Sequence, residues 1–128
     1  MKTVVHNPTA AVYAPVGDYV HALEVSQPGR FLFVAGTMGL DPSGTPGGTL
    51  TEQLELVWSN IRRILASADM TVDNVVRVTS YLRDVAYVGE NSAARVSALN
   101  GRLVPTTVIV VQTLSSEWLV EVEVIAAA

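Results

Sequence analysis

The chain has 128 residues, 49% of them hydrophobic and 16% charged, with a formal charge of −4; this is enough for one domain over residues 1–128 with a substantial core, and so little charge implies that another subunit covers part of the surface. The absence of cysteine excludes disulfides and thiolate chemistry, and His6 and His21 lack ligand-like spacing, so neither a metal nor a cofactor is expected. The eight basic residues are dispersed, which argues against nucleic acid as a partner.

The opening residues M-K-T-V-V-H-N-P lack the apolar stretch of a signal peptide, and no run reaches membrane-spanning length. A cytoplasmic protein without a membrane partner is therefore expected. Tyr19–Val25 and Phe31–Met38 read as strands joined by the turn Ser26–Arg30, and Asp41–Gly48 reads as a loop. Thr49 and Glu52 fit a capping box. The helix that follows carries Leu54, Val57, Trp58, Ile61, Leu65 and Ala68 on one stripe. Asn74–Leu82 alternates as a strand, with Arg77, Thr79 and Tyr81 on one face. A second helix over about Val85–Leu99 stops at Asn100-Gly101.

Val104–Leu114 reads as a strand with apolar, β-branched residues on both faces, where a strand with one wet face alternates. In the last strand, Trp118–Ala126, Val120, Val122 and Val124 should meet the helices, leaving Leu119, Glu121, Glu123 and Ile125 opposite. The order β-β-α-β-α-β-β defines an α+β fold, a single sheet with two helices on one face. No element remains to cover the second face of Val104–Leu114. A second copy of the chain is the natural cover.

The stretches G-D-Y-V-H-A (17–22), F-V-A-G-T-M-G-L-D-P-S-G (33–44), E-Q-L-E-L-V-W-S-N-I-R-R-I-L (52–65), D-N-V-V-R-V-T-S-Y-L-R-D (73–84) and V-E-V-E-V-I-A (120–126) resemble, in joint order and spacing, the RidA (YjgF / L-PSP endoribonuclease) family. The resemblance implies a chorismate-mutase-like fold and a homotrimer, whose three sheets form a barrel with small-molecule clefts between subunits. Enzymes of the family hydrolyse reactive enamines or imines, such as 2-aminoacrylate, to ketoacids and ammonia. An arginine early in the penultimate strand holds the substrate carboxylate, and a glutamate on the last strand helps position water. By this resemblance Glu121 is the catalytic acid/base, and Tyr19, Gly36 and Asn91 contact ligand, Asn91 with a one-residue shift.

Aligned without a gap, the arginine position is Thr106. A guanidinium binds a carboxylate through two charge-assisted hydrogen bonds, each contributing roughly 1.5–3 kcal/mol against about 1 for a neutral bond. Its loss should cost at least about tenfold in carboxylate affinity. Thr37, Thr106 and Thr107 then line a cleft suited to a neutral or cationic molecule, with Arg102 as the alternative source of a cation. The leading reading is a divergent enamine or imine hydrolase acting on a non-carboxylate metabolite. A metabolite-binding protein without turnover stands second, and an endoribonuclease third. Other roles are structural: Trp58 in the core, Arg62 and Arg63 on a solvated helix face.

Overall fold

A computed structural model describes residues 1–128. Its elements, in order, are β1 (Lys2–His6), β2 (Ala22–Ser26), β3 (Phe31–Met38), α1 (Leu50–Ser67), β4 (Val75–Leu82), α2 (Val88–Ala98), β5 (Thr106–Val110) and β6 (Val120–Ala127). Four strands form the main sheet in the order β3-β6-β4-β5, and β1 and β2 pair as a separate antiparallel ribbon. β6 is antiparallel to both neighbours, whereas β4 and β5 are parallel and joined through α2. Such a parallel pair requires a crossover rather than a hairpin.

The alternation in β6 does what its sequence dictates. Val120, Val122, Val124 and Ala126 are buried, while Glu121, Glu123 and Ile125 are half-buried on the other side. α1 contributes Leu54, Val57, Trp58, Ile61 and Leu65 to the same core, and Leu99 and Val104 close it beyond α2. Thr49 caps α1 by accepting from Glu52 N at 3.2 Å, but the Glu52 carboxylate receives Gly48 N at 2.8 Å rather than the cap residue's own amide. α2 ends as its sequence predicts: Asn100 and Gly101 have φ of 55° and 79°, and Gly101 N donates to Val96 O at 2.9 Å, the bond of a Schellman stop.

Three boundaries differ from the sequence expectation. β1 has no counterpart there, because all five of its residues are exposed and only pairing with β2 makes it a strand. The strand expected from Tyr19 begins at Ala22, since Tyr19 and its neighbours are drawn toward the start of β5; there Val20 bridges Pro105. β5 covers only Thr106–Val110 of the expected Val104–Leu114. After Val111 N reaches Leu82 O at 2.8 Å, the chain is pulled away by Arg83, which donates to Thr113 Oγ1 at 2.8 Å and to Ser115 O at 3.3 Å.

β5 is also an edge strand. Thr106 and Val108 face the helices with their register partners Val78 and Ser80, while Thr107 and Ile109 share the open face with Thr79 and Tyr81. That open face carries Phe33, which is 73% exposed, beside Ile125 and Ile109. No helix of the chain is long and apolar enough to cross a membrane.

Candidate functional site

Glu121 and Gly36 are brought together by a bulge. β3 runs three residues from Val34 to Thr37 while β6 runs two, from Val124 to Val122, so one extra β3 residue is inserted and the strand bends. The bend lays the Gly36 backbone against the Glu121 side chain: a Cβ on Gly36 would stand 2.8 Å from Glu121 Cδ and closer still to Oε2. Glycine is needed here for close approach rather than for an unusual φ. The carboxylate opens on a cleft of about 200 Å³ lined by Gly36, Tyr81, Glu121, Glu123 and the segment Val111–Leu114.

Two cleft residues escaped the sequence reading as a pair. Tyr81 stands opposite Glu121 in the β4–β6 ladder, and its hydroxyl donates to Glu123 Oε1. That bond, burial and the nearby carboxylates raise the Tyr81 phenol pKa above its ordinary value. Their shared face is legible from alternation; the diagonal bond between Tyr81 and Glu123 is not. The ion pairs of the chain are His6–Glu24 and Arg95–Asp18, so neither Glu121 nor Glu123 is neutralised by a cation of its own chain. Arg77, on the same face, donates to Thr107 Oγ1 at 3.1 Å.

The remaining expected residues lie elsewhere. Thr37 pairs with Val122 and lines a groove of about 650 Å³ along the free edge of β3, beside Asn60, Arg63 and Ile64 of α1. Its hydroxyl donates to Ala35 O at 3.0 Å. Tyr19, Asn91 and Thr106 lie on the helix side, at and behind the β5 edge. Tyr19 packs edge-on to His21 with ring centroids 6.0 Å apart, and His21 donates through Nε2 to Tyr13 O at 2.6 Å. Asn91 is completely buried beneath α2.

Thr106 is not the free hydroxyl that the alignment suggests. It donates to Val104 O at 2.9 Å and accepts from Arg95 Nη1 at 2.7 Å. A guanidinium therefore does reach this position, from α2. Arg95 is 2% exposed and is already paired: Nη2 meets Asp18 Oδ2 at 3.0 Å and Nη1 meets Asp18 O at 3.1 Å. Burial lowers the Arg95 pKa and the Asp18 carboxylate opposes that shift. The position thus holds a compensated ion pair rather than a free cation. Arg102 does not supply one either, because its guanidinium donates to Val72 O at 3.0 Å and Val75 O at 3.3 Å.

Within one chain, then, Gly36 and Glu121 lie by the β3 edge of the sheet, and Tyr19 and Thr106 by the β5 edge. A four-stranded α+β sheet with a carboxylate cleft and helices on one face is the architecture of a defined family. The Endoribonuclease L-PSP family matches residues 9–128, and this chain belongs to it, the family also known as RidA/YjgF. A RutC family protein of Pyrococcus horikoshii is 31% identical, with 98% of each chain covered. The mouse 2-iminobutanoate/2-iminopropanoate deaminase is 29% identical over 98% of this chain and 94% of its own. Among solved structures, the conserved Rid family protein YyfB of Yersinia pestis, itself described as of unknown function, superposes with a TM-score of 0.87 at 29% identity, with complete coverage of both chains.

Proposed function

We propose that the protein is an imine or enamine hydrolase whose active cleft is completed by a neighbouring copy in a homotrimer. The observation that carries this reading is the Glu121 carboxylate, unpaired by any cation, held against the glycine bulge at Gly36. Glu121 takes a proton from water as the water oxygen adds to the imine carbon. The resulting carbinolamine then expels ammonia as Glu121 returns the proton to nitrogen, leaving a carbonyl. Water and imine become carbonyl and ammonia, with no oxidant or reductant. General acid–base help of this kind contributes about 10²–10⁴-fold.

The sheet topology supports the second copy. Its two free edges are β3 and β5. Closing sheets edge to edge brings Gly36 and Glu121 of one copy toward Tyr19, Thr106 and the Arg95–Asp18 pair of the next, and it covers the exposed Phe33 and Ile109. The kinship with the mouse deaminase supports the chemistry. The compensated Arg95–Asp18 pair favours a neutral substrate over a carboxylate, because an added anion would face Asp18. Nucleolytic action is disfavoured, since two carboxylates face a single arginine across the open face and phosphate binding needs the reverse.

The test is Glu121→Gln, with turnover followed as ammonia release. Loss of turnover with a light-scattering mass of three chains supports the proposal; unchanged turnover removes Glu121 from the mechanism.

A further inference from the structure

Three buried side chains between α2 and the β4–β5 pair carry polar atoms without a partner. They are both amide atoms of Asn91, Nε of Arg95 and Oγ of Ser80. Asn91 and Ser80 are fully buried and Arg95 is 2% exposed. Unpaired buried groups of this kind each cost about 1–3 kcal/mol, so several in one place need a reason.

The fold gathers them. Asn91 and Arg95 are four residues apart on α2 and therefore on one face. Arg95 lies against Thr106, and α2 connects two parallel strands, so it runs back against their direction. One turn toward its N-terminus leads along β5 from Thr106 toward Val108, whose register partner is Ser80.

We infer that this cluster is a recognition site for a carboxamide, and that the substrate bears a carboxamide where an imino acid bears its carboxylate. The donor and acceptor inventory decides between the two groups. Asn91 presents N–H donors and a carbonyl acceptor, Arg95 Nε presents a donor, and Ser80 presents a hydroxyl that serves as either. A carboxamide answers all of these: its oxygen receives Arg95 Nε–H or Asn91 N–H, and its NH₂ donates to Asn91 Oδ1. A carboxylate has no hydrogen for Asn91 Oδ1 and adds a negative charge beside Asp18, which already neutralises Arg95 at 3.0 Å. The way in lies past Asp18, whose side chain is 37% exposed. The segment there is held by the Arg95 bonds and by one long bond, Val20 N to Val104 O, at 3.4 Å.

The binding inference stands on these residues alone. Its extension to the substrate, a 2-imino amide hydrolysed by water to a 2-oxo amide and ammonia, rests on the hydrolase reading above. The probes are the corresponding products, pyruvamide and pyruvate, titrated separately into the ¹⁵N-labelled full chain. The Asn91 side-chain amide and Arg95 Nε–H resonances report the site directly. Pyruvamide is expected to shift both and to bind at least about tenfold more tightly than pyruvate, about 1.4 kcal/mol. Ser80→Ala should weaken pyruvamide several-fold while leaving pyruvate unchanged, and Asn91→Leu should abolish the preference.

Equal or tighter binding of pyruvate, or shifts confined to other residues, overturns the inference. So does retention of the pyruvamide preference in both variants. Glu121→Gln separates the two claims. If it removes turnover while pyruvate is preferred, the hydrolase reading survives and this inference fails. If turnover is unchanged while pyruvamide is still preferred, the outcome is reversed.

Discussion

Gly36→Ala separates the fold from the chemistry. The new methyl would stand 2.8 Å from Glu121 Cδ and 3.1 Å from Cγ, all atoms of one flexible side chain. An ordinary contact is about 3.5–4 Å, so the carboxylate must swing away by about 1 Å. Leaving its rotamer well costs about 0.5–1.5 kcal/mol, a fall of a few degrees in Tm for a chain of this size. A 1 Å displacement of a reacting group costs on the order of 10²-fold in rate. Gly36→Ala should therefore fold and assemble almost normally while losing about 99% of its turnover. Gly39→Ala is the matched control. Its Cβ would lie 2.5 Å from Gln53 Cα and from Gln53 O, backbone atoms of α1 that have no rotamer to change. Overpacking there should cost 1–3 kcal/mol or more. Thermal denaturation and ammonia release on both variants read the two effects side by side. Full turnover in Gly36→Ala, or a loss of stability equal to that of Gly39→Ala, would refute the assignment of Gly36 as the seat of the Glu121 carboxylate.

Two further expectations follow from the charged and phenolic groups. Arg95→Met leaves Asp18 without its partner; for a fully buried pair this costs 3–5 kcal/mol, and the exposure of Asp18 reduces the expectation to about 1–3 kcal/mol. Urea denaturation should show that loss, and adding Asp18→Asn should recover part of it; strict additivity would contradict the pair. The Tyr81 phenol, raised by its bond to Glu123, should titrate above the ordinary value of about 10. Its contribution to stability is complete below the unfolded phenol's pKa and lost as pH climbs through the folded one. In difference spectra against Tyr81→Phe, Glu123→Gln should bring that titration down; an unmoved titration would contradict the bond.

Much of the fold is legible because burial imposes periodicity. The stripe Leu54, Val57, Trp58, Ile61 and Leu65 and the alternation of Val120, Val122 and Val124 mark the core directly. β1 is illegible for the complementary reason: it is fully exposed and exists by pairing with β2. The end of β5 is hidden because a side chain from another strand, Arg83, draws the backbone off the ladder. At the site, the motif around Glu121 and Gly36 shows which residues matter, but not that a bulge sets them in contact. The Arg95–Asp18 pair joins residues 77 positions apart, and neither belongs to a pattern that local spacing reveals. It changes the meaning of Thr106 from a substitute anchor to a fixed bond in a neutralised cluster.

The claim that one cleft is shared by two copies is tested most directly by mixing inactive chains. Glu121→Gln disables one half, and Thr106→Trp, which blocks the β5 edge, disables the other. Each assembled alone should be inactive. Co-assembled in equal amounts, they should recover about a quarter of wild-type turnover, because one cleft in four then pairs an intact Glu121 with an intact β5 edge. A mixture that forms mixed assemblies and stays inactive would contradict the shared cleft.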